Sequence, residues 1–146
     1  MIRQVEPHIH VVECEELTER IIGCAMRVHS TLGPGFLESV YERALAHELA
    51  RNGLRVDCQK PIHVAYDDVP VGEFFVDLLV EGTVIVENKA IQALTFFNEV
   101  QLVNYLTATG IDVGLLLNFG SERLQFRRKH RKHRRTSPSP PAIAPS

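Results

Sequence analysis

Apolar residues recur along this chain first at helical spacing and then at strand spacing. Over 16–32, Leu17, Ile21, Ala25, Val28 and Leu32 repeat every three or four positions, which predicts an amphipathic helix. Gly33-Pro34-Gly35 ends it. Over 36–52, Leu37, Val40, Tyr41, Ala44, Leu45 and Leu49 form a second helical stripe, with Gly53 placed to stop it. The period then shortens. Residues 54–60 and 61–67 read as short strands around Pro61, a residue suited to an edge or a turn. Asp67-Asp68-Val-Pro-Val-Gly72 reads as a connection whose paired aspartates are turn residues. Two apolar segments follow, from Gly72 and up to Lys89, joined by a tight turn at Glu81-Gly82-Thr83. Thr95 is a natural N-cap for a helix over 96–109, with Gly110 as its stop. Residues 112–119 read as a buried strand, and a short final strand begins at Leu124 and reaches Phe126. Helix, helix, strands, hairpin, helix and strand predict an α/β fold, a mixed β-sheet flanked by helices.

The hairpin carries charge where burial is expected. Asp77 interrupts its first strand, and Glu87 and Lys89 close its second. Buried charges are costly unless paired or metal-bound. A turn centred on Gly82 sets Asp77 across from Glu87, with their Cβ atoms about 5 Å apart. Lys89 then points to the same face, about 7 Å along the strand.

Composition changes this picture little, and charge changes it more. The chain has 146 residues, 45% of them hydrophobic and 23% charged, as expected for one globular unit with a real core. No run of 18 apolar residues is present, so no membrane segment is expected. The first residues lack the basic-then-apolar pattern of a signal peptide. Cys14, Cys24 and Cys58 are odd in number and scattered, which fits a reducing, cytoplasmic setting. His8, His10 and Cys14 have no fourth ligand at a recognised spacing, so residues 1–15 read as a polar leader rather than a metal site. Residues 1–122 hold 8 Lys/Arg against all 18 Asp/Glu, whereas residues 123–146 hold 8 Lys/Arg and no acid. The acidic body does not attract nucleic acid; Arg127, Arg128, Lys129, Arg131 and Lys132 are the candidates for phosphate contact. The expected organisation is the leader, a folded body over 16–126, and a tail over 127–146, basic at first and then Pro- and Ser-rich and disordered.

Two carboxylates at one point suit a hard cation such as Mg²⁺ or Mn²⁺, and the acids have no His or Cys beside them that would suit zinc. Glu38, in the first turn of the second helix, and Gln101, one helical turn from Tyr105, are the further polar candidates. Two readings stand on these residues alone. Asp77, Glu87 and Lys89 form either a metal-dependent hydrolytic site or a structural ion pair.

The set Asp77…Glu87-Asn88-Lys89 resembles the signature of the PD-(D/E)XK nuclease superfamily. Gly35-Phe-Leu-Glu38-Ser-Val-Tyr41 resembles the motif that names the GxxExxY proteins, and Gln101…Tyr105 resembles a RecB-type Q-x-x-x-Y motif. The resemblance covers about residues 16–126 and implies a restriction-endonuclease-like fold. It implies Asp77, Glu87 and the backbone carbonyl of Asn88 as metal ligands and Lys89 as catalytic lysine. Glu38 would complete the acidic site, with Gln101 and Tyr105 positioning site or substrate. Gly35 and Tyr41 would be structural, Tyr41 orienting Glu38. It further implies a Mg²⁺- or Mn²⁺-dependent nuclease acting on DNA in preference to RNA, with a homodimer or another protein as partner. Asn88 departs from the pattern, because its position is usually apolar. The alternatives are a non-catalytic nucleic-acid-binding or regulatory module on a nuclease fold, and a structural protein whose acids are merely paired.

Overall fold

The computed structural model describes residues 7–132, with side chains from residue 14 onward. Helices α1 (Pro7–Leu32) and α2 (Glu38–Arg51) precede the strands β1 (Val56–Tyr66), β2 (Val69–Val80) and β3 (Val84–Lys89). Helix α3 (Phe96–Thr109), β4 (Val113–Asn118) and β5 (Gln125–His130) complete the fold. The strands lie in the order β1-β2-β3-β4-β5. β3 and β4 are parallel, joined by the α3 crossover, and the other neighbours are antiparallel. The expected mixed sheet flanked by helices is what forms.

Helices cover both faces. Leu78, Val80, Val84, Val86, Leu115 and Leu117 pack with α1 and α2 through Ile21, Ala25, Tyr41, Leu45 and Leu49. On the opposite face, Leu79, Ile85 and Leu116 meet Leu102 and Leu106 of α3. Gly114 permits that approach: a Cβ there would stand 2.9 Å from Leu102 Cδ1. The local signals at α3 hold as read. Thr95 and Asn98 form a reciprocal capping box, and Gly110 closes the helix at φ +73°.

Several bounds differ from the sequence expectation. α1 begins at Pro7, within the expected polar leader; proline is at home in a first turn, and extending an anchored helix costs little. Residues 1–6 and the Pro/Ser-rich stretch 133–146 lie outside the described residues. The two strands expected at 54–60 and 61–67 are one strand that runs through Pro61, which its edge position allows. The turn after it is only Asp67-Asp68, both at positive φ, and Val69 already begins β2. β5 continues to His130, so Arg127, Arg128 and Lys129 are strand residues rather than the start of a tail.

β2 is also not a buried strand throughout. From Val69 to Phe75 it pairs only with β1, and Val69, Val71 and Phe75 are exposed. The outer halves of β1 and β2 therefore form a two-stranded ribbon. The side-chain faces roll over within it. Leu78 and Val80 face α1 and α2, whereas Phe74 and Val76, of the same parity, pack on the α3 side. The change falls where Cys58↔Leu78 and Lys60↔Val76 pair but Gln59 and Asp77 do not.

Candidate active site

The site lies where β2 and β3 separate. Their ladder pairs Val80 with Val84, Leu79 with Ile85 and Leu78 with Val86, the register centred on Gly82. It stops one pair short of Asp77 and Glu87. Beyond that point each carboxylate bonds to the other strand. Asn88 N–H donates to Asp77 Oδ2 at 2.8 Å, and Asp77 N–H donates to Glu87 Oε1 at 3.2 Å. The N–H and C=O of a residue in a regular strand share one edge, so the Asn88 carbonyl also faces this gap. Lys89 continues β3, its own carbonyl held by Phe119 N–H at 2.8 Å.

Burial makes this gap expensive for negative charge. Glu87 is 7% exposed, and burial, followed by repulsion from Asp77, pushes its carboxyl up to about 8. Asp77 is raised by burial, against which the Asn88 N–H, Lys89 and Gln59 act. Glu38, from the first turn of α2, is raised by desolvation, pulled down by Lys89 and pushed up by Asp77 and Glu42. The three acids and Lys89 are thus within electrostatic reach of one another. Lys89 makes no direct ion pair among the described residues.

The flanking candidates take different places. Tyr105 stacks on Phe74, with centroids 4.0 Å apart, and its hydroxyl is raised by burial and then by Glu87 and Asp77. Gln101, half-buried, sits one turn away with no hydrogen bond to the acids. Tyr41 makes its hydrogen bonds to the preceding loop and none to Glu38. Its hydroxyl donates to Gly33 O at 2.5 Å and accepts from Phe36 N–H at 3.1 Å, while its ring stacks on Phe119. It thereby holds the loop that contains Gly35, at φ +112°, from which α2 and Glu38 start. Of the basic candidates, Lys129 is paired with Glu99 at 3.2 Å and Arg131 with Asp112 at 2.9 Å. Arg127, Arg128 and Lys132 are exposed.

Two participants were not read from the sequence. Gln59 Nε2 donates to Glu42 at 2.7 Å and reaches Asp77 Oδ1 at 3.4 Å. Asn118, opposite Lys89 in the parallel register, braces the loop after β3. Its Oδ1 accepts from Ile91 N–H and Gly120 N–H, and its Nδ2 donates to Ile91 O and Gln125 Oε1. No local motif announces either residue, because the partners of Gln59 are 17 and 18 positions away and Ile91, which Asn118 bonds twice, is 27 away.

Asn88 is the opposite case. It is fully buried, on the strand face of Val84 and Val86, and both polar atoms of its side chain lack partners. Asn88→Leu keeps the shape and removes two unsatisfied groups. It is expected to stabilise the fold by about 1 kcal/mol in denaturant unfolding. Activity should change little, since the side chain points away from the gap.

No three His, Cys, Asp or Glu side chains are gathered closely enough to hold a metal as they stand, among the described residues. The donor chemistry nevertheless fits Mg²⁺ or Mn²⁺. Such ions are commonly held by one or two carboxylates plus waters. Asp77 and Glu87 are two carboxylates beside a carbonyl, in surroundings that resist their joint ionisation.

A model of the PD-(D/E)XK nuclease superfamily matches residues 15–129. The chain belongs to that superfamily. Among solved structures, the crystal structure of SSO0001 superposes with a TM-score of 0.54 at 12% identity. The match covers 66% of this chain and 50% of that one, so this chain spans half the length of SSO0001 and the likeness concerns the fold. No curated protein sequence matches. Asp77, Glu87 and Lys89 lie within the matched residues.

Charge at Glu87 gives a test that needs no nucleic acid. Its folded value of about 8 exceeds the ordinary 4.5, so between these pH values the metal-free fold holds a proton that the unfolded chain has lost. The contribution is full below the ordinary value and declines as pH rises towards 8. Glu87→Gln should flatten that slope. At pH 8–9 it should raise the melting temperature of the metal-free protein by roughly 5 °C. Parallel melting curves for the two proteins from pH 5 to 9 would contradict it.

Proposed function

We propose that this chain is a Mg²⁺- or Mn²⁺-dependent nuclease that hydrolyses phosphodiester bonds, in DNA ahead of RNA. The observation that carries this reading is the splayed end of β2 and β3, where Asp77 and Glu87 replace ladder partners and Glu38 and Lys89 stand within electrostatic reach. Asp77, Glu87 and the Asn88 carbonyl would hold the ion, with Glu38 completing its surroundings. When bound, the ion supplies an activated water and offsets charge on the phosphate. Lys89 orients that water or holds a phosphate oxygen. Tyr105 and Gln101 shape the α3 side, and Arg127, Arg128 and Lys132 meet the polyanion. The spacing of Gly35, Glu38 and Tyr41 supports a place in the GxxExxY branch.

The test pairs calorimetric titration with Mn²⁺ against cleavage of plasmid and single-stranded DNA. One stoichiometric site and cleavage that EDTA stops are expected. Cleavage that persists in EDTA would refute the proposal. No ligand cluster is preassembled among the described residues, which favours a second reading, a nucleic-acid-binding module without turnover. It predicts salt-sensitive DNA binding and no metal-dependent cleavage.

A further inference from the structure

Gln59 has a positive φ of 52°, a conformation that costs a non-glycine residue about 1 kcal/mol or more. It is not a hairpin turn residue: it lies within β1, between Cys58 and Lys60, each of which pairs with β2. The ladder skips Gln59 and Asp77 and then resumes in the same register. At this level both strands exchange faces. Val56 packs with the α1–α2 layer, whereas Ile62 packs on the α3 side, as Val80 and Phe74 do across from them.

The distortion has a definite product. It sends the Gln59 amide towards α2, where Nε2 donates to Glu42 Oε1 at 2.7 Å, and the same nitrogen reaches Asp77 Oδ1 at 3.4 Å. Asp77 Oδ2 is already held by Asn88 N–H. One carboxylate oxygen is therefore tied to β3 and the other faces an amide from β1. We infer that Gln59 is a positioning residue, held in a strained backbone conformation so that its amide fixes the Asp77 carboxylate for metal binding and links it to Glu42 on α2. This rests on the metal-site reading of Asp77.

Two variants separate strain from function. Gln59→Gly removes the amide and releases the strain, whereas Gln59→Met keeps the strain and much of the side-chain length but has no donor. Mn²⁺ affinity, measured by calorimetry, should fall about tenfold in both, the usual size of a lost orienting partner. Melting of the metal-free proteins should separate them, with Gln59→Gly a few degrees above Gln59→Met. A purely structural role predicts instead that Mn²⁺ affinity follows wild type in every variant that folds. Wild-type affinity in both variants overturns the inference alone. A wild-type protein that binds no Mn²⁺ overturns the metal-site reading, and this inference with it.

Discussion

Lys89→Ala should lower metal-dependent cleavage by roughly 10³-fold while leaving Mn²⁺ affinity unchanged or slightly higher. The two quantities separate because Lys89 is not a donor to the cation. Its backbone is held by Phe119 N–H whatever its side chain, so truncation leaves the strand in place. Its ammonium lowers Glu38, Asp77 and Glu87 together, and removing it leaves more negative potential for a cation. What would be lost, on the proposed function, is the positive charge beside the attacked phosphate. Lys89→Arg should not restore the rate, since a planar fork does not replace a compact ammonium. Asp77→Ala should abolish both cleavage and binding, because Asp77 is a proposed ligand and the acceptor for Asn88 N–H. Calorimetry and single-turnover cleavage on the same preparations would check both variants. Equal cleavage by wild type, Lys89→Ala and Asp77→Ala would trace the activity to a contaminant.

Asn118→Leu should be the most damaging single change to stability, on the order of 3–5 kcal/mol in denaturant unfolding. Four bonds are lost together, and Ile91 N–H, Ile91 O and Gly120 N–H lose their buried partner. Gly120→Ala attacks the same junction by contact. A Cβ there would lie 2.4 Å from both Ile91 N and Ile91 O, which are backbone atoms that cannot swing aside. Both variants displace the loop that leaves Lys89, so cleavage should fall with stability. Asn88→Leu, on the neighbouring strand, should move the other way. A Leu at 118 that unfolded at the wild-type denaturant midpoint would rule out the brace.

The contrast between these two asparagines marks what was legible in the sequence. The hairpin register could be read, since Gly82 and the apolar pattern around it are local. The helix after Thr95 could be read from its cap and from Gly110. Asp77, Glu87, Lys89 and Glu38 stood out as charges in apolar or helical settings. The roll at Gln59 could not be read, because it depends on two strands distorting at one level. The exposure of Val69, Val71 and Phe75 was also hidden: an apolar strand looks the same whether or not a helix arrives to cover it. Pro61 suggested a break where an edge strand needed none. The basic run concealed a strand, since β5 lies at the edge of the sheet and keeps Arg127 and Arg128 in solvent.

The two-stranded ribbon has a consequence for the native-state energetics of the chain. Its distal amides between Val64 and Gly72 belong to no layer that helices cover, so they should exchange with solvent through local openings far smaller than global unfolding. Leu78, Leu79 and Val80 are buried between layers and should exchange only when the whole core opens. The step from fast to slow exchange along β2 then falls between Gly72 and Leu78, the stretch that holds Asp77. The proposed metal ligand sits on the seam between a part of the protein that breathes and a part that does not, and a bound cation would extend slow exchange outward from that seam.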